Sequence, residues 1–343
     1  MMDWLNYEEL RERLNHFMPG MGDLFLEIFT ALIQGEAEMV FREFPEMFRE
    51  IVKQSARDLT GACILLLVLG ILSALLSHLS QIFKDRNAGE VAFYFCYLTG
   101  AGILIALYYS MVETAVAMIQ VIVGFTETLI PIFYLTVAMT RQIQTAAGFY
   151  HLNLLLLYAV EVIIPEVIVP VVSGYIYISI ISGMSGDDLF AGFLGLIKKC
   201  VSLLQKSAML VIGGVGMMKK MLHGATDGMN LAVWQKTIGA IPVLGDLSDG
   251  MTGILLGTAV LIKNGLGISF LIVILFLVAT PVIKLFVIAV ALQMVAASVS
   301  AFGEKRFVKL VERASDACYM ILKSCACCVL ILLVIIALVC VAI

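Results

Sequence analysis

Six ionisable residues stand inside otherwise apolar stretches: Glu113, Glu127, Glu161, Glu166, Lys263 and Lys284. A charge inserted at the centre of a membrane helix costs roughly 2.5–3.5 kcal/mol, so one that is present marks a polar path or a proton-carrying group. Glu161 and Glu166 flank Pro165 in VEVIIPEVIVP, where Pro165 and Pro170 each remove a helical hydrogen bond. Two readings are open for this pair. One is the lining of a pathway or an ion-coupling carboxylate. The other is a loop at the membrane surface, favoured because charge-free stretches end on both sides. Lys284, beside Pro281 between two apolar runs, reads in the same way as a loop or snorkelling residue. Glu127, between the runs Thr114–Thr126 and Thr128–Thr140, is the strongest candidate for a buried carboxylate.

The stretch Thr237–Asn264 is the most irregular part of the chain. Gly239, Pro242, Gly245 and Gly250 interrupt regular structure there. Asp246 and Asp249 are too few for a metal site and instead suit the positive end of a following half-helix. Lys263 and Asn264 close the segment. Irregular backbone at membrane depth is tolerated only where protein packs on it or a cavity borders it, which points this region toward a pathway. The candidate polar residues are therefore Glu127, Glu161, Glu166, Asp246, Asp249, Lys263, Asn264 and Lys284. The candidate helix breaks are Pro165, Pro242, Gly245 and Gly250.

No enzymatic signature accompanies them. The chain carries no P-loop, no G-x-S-x-G, no H-E-x-x-H and no dinucleotide fingerprint. Cys325 and Cys328 make a C-x-x-C spacing without a βαβ setting or a second ligand pair, so they read as small hydrophobes. His16, His78, His151 and His223 are scattered. Gly213, Gly214 and Gly216 suit close helix packing. No catalytic residue, cofactor or metal is expected, and the chain reads as a non-enzyme.

The elements that must position these residues follow from composition. Of 343 residues, 61% are hydrophobic and 14% charged, with a mean hydropathy of +1.02. Soluble domains have about 45–50% apolar and about 25% charged residues, so the balance is that of a membrane protein. It also excludes disorder and a basic nucleic-acid-binding domain. Residues 1–58 hold 12 acids and 6 bases, whereas residues 59–343 hold 14 acids and 16 bases. An acidic head thus precedes an apolar body. In the head, Phe41, Phe44, Phe48 and Ile51 recur at helical spacing, interrupted by Pro45, as expected of an amphipathic cap or a partner-docking surface. Met1–Leu10 lacks the basic and apolar regions of a secretory leader.

A helix needs roughly 20 apolar residues to cross a bilayer. Charge-free stretches of about that length are Leu59–Phe83, Val91–Val112, Gln142–Val160, Val167–Gly186, Asn264–Ile283, Leu285–Gly303 and Ser324–Ile343. Thr114–Thr126 and Thr128–Thr140 make either one span carrying Glu127 or a hairpin bent at Pro131. The prediction is an all-α polytopic helical membrane protein with seven or eight spans.

An internal repeat is superposed on this plan. Asp187–Lys199 and Glu304–Arg313 are matching amphipathic segments. An offset of 117 aligns Gly186 with Gly303, Asp187 with Glu304, Lys206 with Lys323 and Ser207 with Ser324. The expected organisation is a head at 1–58, leading spans at 59–124 and two tandem repeats at 125–218 and 236–335. Such halves often flank a pathway. The basic clusters Lys84/Arg86, Lys198/Lys199/Lys206 and Lys305/Arg306/Lys309/Arg313 fit one cytoplasmic side, with the head outside; Lys219, Lys220 and Lys236 fit this badly.

Two long segments carry a family resemblance. LSALLSHLSQIFKDRNAGEVAFYFCY (72–97) and DGMNLAVWQKTIGAIPVLGDLSDGMTGILLGTAVLIKNGLGI (227–268) resemble the stage III sporulation protein AE family. In the second, Asp227, Gly228, Lys236, Gly239, Pro242, Val243, Gly245, Asp249, Lys263, Asn264 and Gly267 stand at the family's positions. Family members commonly begin with a leader sequence, a pattern not found at Met1–Leu10. The resemblance implies a polytopic component of a sporulation channel, or feeding tube, in the mother-cell membrane around the forespore. Its implied partners are other products of the same operon, a secretion-type ATPase among them, and the forespore-membrane protein SpoIIQ. The implied role is forespore maintenance and late forespore gene expression. No catalytic residues come with it. The residues alone leave two alternatives: a stand-alone proton-coupled secondary transporter using Glu127 or Glu161/Glu166, and a purely structural membrane anchor.

Overall fold

A computed structural model describes residues 37–82, 86–140, 155–184, 190–222 and 265–342. These form six helices: α1 Ala37–Ile82, α2 Arg86–Thr140, α3 Leu155–Met184, α4 Ala191–Leu222, α5 Gly265–Ser300 and α6 Lys305–Ala342. No strand occurs among the described residues. All but α4 contain a stretch long and apolar enough to cross a membrane, which makes five such spans among the described residues. The chain is an all-α, multi-pass membrane protein, as its composition predicts.

The helices are longer than the charge-free runs. Glu113 and Glu127 do not end α2, which continues unbroken through Pro131 to Thr140, so there is no hairpin at that proline. Lys284 and Pro281 lie within α5 rather than in a loop. Glu161 and Glu166 likewise lie within α3 and do not form a surface loop. The reason is that a helix is held by its backbone ladder. A single charged side chain leaves that ladder intact and needs only a polar neighbour or water. The prolines at 165 and 170 are absorbed by a widened turn, Ile163–Ile168, in which the Val169 N–H donates to the Ile164 carbonyl five residues back. Widening makes room for a pyrrolidine ring that would otherwise strike the preceding turn. Glu127, expected to be buried, is exposed on α2.

Packing places α6 at the centre. It touches α5, α2, α3 and α4, while α1 covers α5 and α2. Of the five spans, α6 is the most buried. Two glycines bring α1 and α2 close to it. A Cβ on Gly100 would meet the Phe307 ring at 2.6 Å, and one on Gly70 would meet Val299 at 3.0 Å and Phe307 at 3.6 Å. Phe307 is fully buried in this cleft.

These contacts fix the relative heights of the helices. Gly70 and Gly100 sit near the midpoints of the charge-free runs Leu59–Phe83 and Val91–Val112. The α3 run stands beside them, because the Tyr97 hydroxyl donates to the Ile180 carbonyl at 2.9 Å and Tyr108 meets the Ser173 hydroxyl at 3.0 Å. The run Leu285–Gly303 ends at the same level through Val299. Four apolar runs therefore stand side by side, and the charged first half of α6 is inserted among them.

Replacing Gly100 by Ala should lower stability by about 1–3 kcal/mol, since a Cβ there collides with a ring that cannot recede. Phe307→Ala should cost about 3–5 kcal/mol. Adding Phe307→Leu to Gly100→Ala should cost less than the two single losses together. Thermal unfolding in detergent measures all three.

Candidate functional site

α6 is a charged helix held in apolar company, and its first turn shows how. Glu304 precedes it and caps it. Its Oε2 accepts the backbone N–H of Arg306 at 2.7 Å and of Phe307 at 3.3 Å. A carboxylate at this position satisfies two orphan donors and complements the positive end of the helix. Glu304 Oε1 also takes the Arg306 Nε at 3.2 Å, and both side chains are largely buried. The Arg306 guanidinium lies 4.2 Å from the centre of the Phe93 ring and 6.0 Å from that of Tyr94. An ion pair and a cation–π contact thus neutralise the tip of the α5–α6 hairpin.

Below the tip, α6 has two faces. Phe307, Leu310, Val311, Ala314, Cys318 and Ile321 are buried. Lys305, Lys309 and Glu312 are exposed along the other side, with Asp316 and Lys323 continuing the stripe at helical spacing. α4 grips this helix along one edge. Lys198 Nζ meets Asp316 Oδ2 at 2.9 Å. Lower down, the buried Gln205 donates from Nε2 to both the Met320 carbonyl and Ser324 Oγ, each at 2.9 Å. Ser324 Oγ in turn donates to the Met320 carbonyl at 2.9 Å. The result is a polar strip on the central helix, at the depth of four apolar runs.

The chemistry of this strip is that of a surface for ions, water or a charged partner. No group of three His, Cys, Asp or Glu side chains with metal-holding geometry occurs among the described residues. Cys325 and Cys328 are buried and free on α6.

The candidates named from the sequence fall elsewhere. Glu127 is exposed on α2, Glu161 and Glu166 are exposed on α3, and Lys284 is exposed on α5; Pro165 is half-buried in the widened turn. These charges are not drawn together into one pocket. Asp246, Asp249, Lys263, Asn264, Pro242, Gly245 and Gly250 lie outside the described residues. The Lys198–Asp316 and Gln205–Ser324 pairs were missed by the sequence reading. A signal for them existed, because the 117-residue offset is close to the register in which α4 and α6 pack in parallel.

Gln205→Leu should lose about 1–3 kcal/mol, since a buried hydroxyl and a carbonyl lose their donor. Ser324→Ala added to it should cost less than when made alone. Asp316→Asn, at a part-exposed pair, should change stability by only about 0–1 kcal/mol. A double-mutant cycle read by thermal unfolding in detergent separates the two contacts.

The family model described as stage III sporulation protein AE matches residues 24–343. Stage III sporulation protein AE of Bacillus subtilis (strain 168) is 23% identical over 261 residues, which cover 76% of this chain and 64% of that relative. The match thus spans less than two thirds of the relative's own length. No solved structure matches the chain. With nearly its whole length matched, the chain belongs to the stage III sporulation protein AE family.

Proposed function

We propose that this chain is a non-enzymatic membrane subunit of a sporulation channel, or feeding tube, between mother cell and forespore. In this reading it lies in the mother-cell membrane around the forespore and serves forespore maintenance and late forespore gene expression. Its partners are the other membrane proteins of the same operon, a secretion-type ATPase that energises the assembly, and SpoIIQ across the intermembrane space, reached through the assembled complex.

The observation that carries this reading is the polar strip of α6. Lys305, Lys309 and Glu312 are exposed at the depth of four apolar runs. Charges at that depth are stable only against protein or water. A chain that presents Lys305 and Glu312 at its surface at this depth is suited to be one wall of a larger assembly. A stand-alone proton-coupled transporter is less well supported. It calls for an enclosed carboxylate, and Glu127, Glu161 and Glu166 are all exposed.

Orientation follows from the basic end. The Tyr94 hydroxyl reaches the Met184 carbonyl at 3.3 Å, and Arg306 lies over Phe93. The α1–α2, α3–α4 and α5–α6 connections therefore share one end of the bundle. Arg86, at the start of α2, stands at that end, which the positive-inside rule puts in the cytoplasm.

Tagged protein purified from sporulating cells should bring down the operon's membrane proteins and the ATPase. Recovery of the chain alone, with solute uptake by liposomes that contain only it, would defeat the channel reading in favour of the transporter. Glu127→Gln and Glu161→Gln should leave spore yield unchanged. A cysteine introduced at Arg86 should label from the cytoplasm, and one at Arg49 from the opposite side.

A further inference from the structure

The outward face of α2 changes its chemistry at one point. Val91, Phe95, Leu98, Ala106 and Tyr109 are exposed on it, and the same face continues at helical spacing through Glu113, Ala117, Gln120 and Glu127, also exposed. Between Val91 and Tyr109 its large side chains are apolar. From Glu113 to Glu127 no large apolar side chain is exposed: Met118, Ile119, Ile122, Val123 and Phe125 are buried, and Val116 and Val121 are half-buried. α1 packs against α2 and makes the same change. Ile64, Val68, Ile71 and Leu75 are exposed on its outward face, and that face continues through Arg57, Lys53, Glu50 and Glu46.

The two changes fall at one level. Gly70 and Gly100 both meet Phe307, and Asp58 lies twelve residues from Gly70 and Glu113 thirteen from Gly100, or about 18 Å and 20 Å. Glu166 on α3 and Lys284 on α5, both exposed, stand at about 22 Å by the same measure, taken through Ser173 and Val299. This level thus carries exposed charge of both signs on four helices. Toward the end with the α1–α2 connection, the same helices hold the charge-free runs Leu59–Phe83, Val91–Val112, Val167–Gly186 and Leu285–Gly303, each about one bilayer crossing long. The exposed Tyr109 and Tyr177 hydroxyls meet at 2.8 Å just inside the level, where an aromatic belt belongs. Ile163, Val167 and Leu203 stand at the level itself. Beyond it Phe48, Leu155, Tyr158, Leu210 and Leu275 are exposed, interspersed with the exposed charges Arg49, Glu161, Lys206 and Lys284, as apolar residues are on soluble surfaces.

We propose that the hydrocarbon core ends at the level of Asp58 and Glu113, and that α1 and α2 continue beyond it as the water-facing side of a helical stalk. A face that stays outward while its chemistry switches records a change of solvent and no change of packing. Hydrocarbon does not solvate the row Glu46, Glu50, Lys53 and Arg57, whereas water does. The apolar residues of α2 beyond the level are spent inside: Met118, Ile122 and Phe125 join Leu156 and Leu157 of α3 and Ile274 of α5 in one buried core. The charges at the level meet lipid headgroups, and the surface beyond them meets water. α2 runs twenty-seven residues past Glu113 to Thr140, or about 40 Å. The stalk stands at the end opposite Arg86; only its compartment rests on the orientation proposed above.

The test uses full-length protein in lipid nanodiscs, which leave both membrane faces open to a charged, water-soluble maleimide. Single cysteines are introduced on the two outward faces: Val68→Cys and Leu98→Cys in the apolar section, Lys53→Cys and Gln120→Cys beyond the level. Alkylation is followed by mass spectrometry on the peptide that carries each cysteine, and a repeat in SDS shows that every thiol can react. Lys53→Cys and Gln120→Cys should react about tenfold or more faster than Val68→Cys and Leu98→Cys, because the reactive thiolate forms in water and not in apolar surroundings. Arg57→Cys and Ala117→Cys, one turn away from that pair, repeat the reading with independent substitutions. The proposal is overturned if the cysteines beyond the level react as slowly as those in the apolar section, or if the step in rate along α2 falls beyond Gln120. In sealed cells Gln120→Cys should react with reagent supplied outside. Reaction from the cytoplasm alone would support the stalk and overturn only the orientation.

Discussion

The structure depends on one constraint, which is that a charged helix has been packed where hydrocarbon solvates neither charge nor backbone. Phe307 makes this possible. Its ring fills a cleft opened by the missing side chains of Gly70 and Gly100, and so α6 approaches α1 and α2 closely at the midpoint of their apolar runs. The rest answers the cost of that placement. Glu304 satisfies the first backbone donors and holds Arg306, and Arg306 spreads its charge over Phe93. α4 supplies Lys198 and Gln205 to one edge of the helix. What remains exposed is the face that carries Lys305 and Glu312.

The helix pairs α3–α4 and α5–α6 share a plan of an apolar helix followed by an amphipathic one, yet they meet different surroundings. At the offset of 117, Phe190 corresponds to Phe307 and Phe193 to Leu310. Phe307 and Leu310 are buried at 0% and 2%, whereas Phe190 and Phe193 are exposed at 41% and 51%. The periodicity is the same; what differs is that α1 and α2 close over the start of α6 at Phe307, whereas the start of α4 is left exposed at Phe190 and Phe193. An amphipathic pattern specifies that a face is to be covered and leaves open by what. A tandem duplication remains our proposal for the origin of this pattern. It accounts for the parallel packing of α4 and α6 in a register close to the repeat length.

Much of this was legible in the residues, and what was not has a physical cause. Charge-free runs located the apolar layers, and Glu304–Arg313, read from its spacing as amphipathic, buries Phe307, Leu310 and Val311 on one face. Continuity was not legible. Glu113, Glu166 and Lys284 each interrupt a hydropathy run and each looked like the end of a span, but side-chain polarity says little about whether the backbone ladder continues through it. Nor was depth legible. Hydropathy ranks segments one by one, whereas the insertion of the α5–α6 tip among α1, α2 and α3 arises from contacts between residues some two hundred positions apart, such as Gly100 and Phe307. The polar pairs across α4 and α6 were hidden for the same reason, although the repeat offset encoded their register.

Helix length sets a further limit on how such a molecule sits in a membrane. α2 has 55 residues, or about 82 Å at 1.5 Å per residue, against a hydrocarbon core of about 30 Å. Its apolar character continues past Glu113 to Thr140, as that of α6 continues past Lys323 to Ala342. Two apolar layers are thus stacked along the same helices, with Glu113 on α2 and Lys323 on α6 between them, and no tilt brings an unbroken helix of this length within one slab. Lipid of a single bilayer can cover one layer only, so the second calls for another apolar surface or for water at its charged positions. The same geometry is compatible with the proposed place of the chain as one wall of a larger assembly.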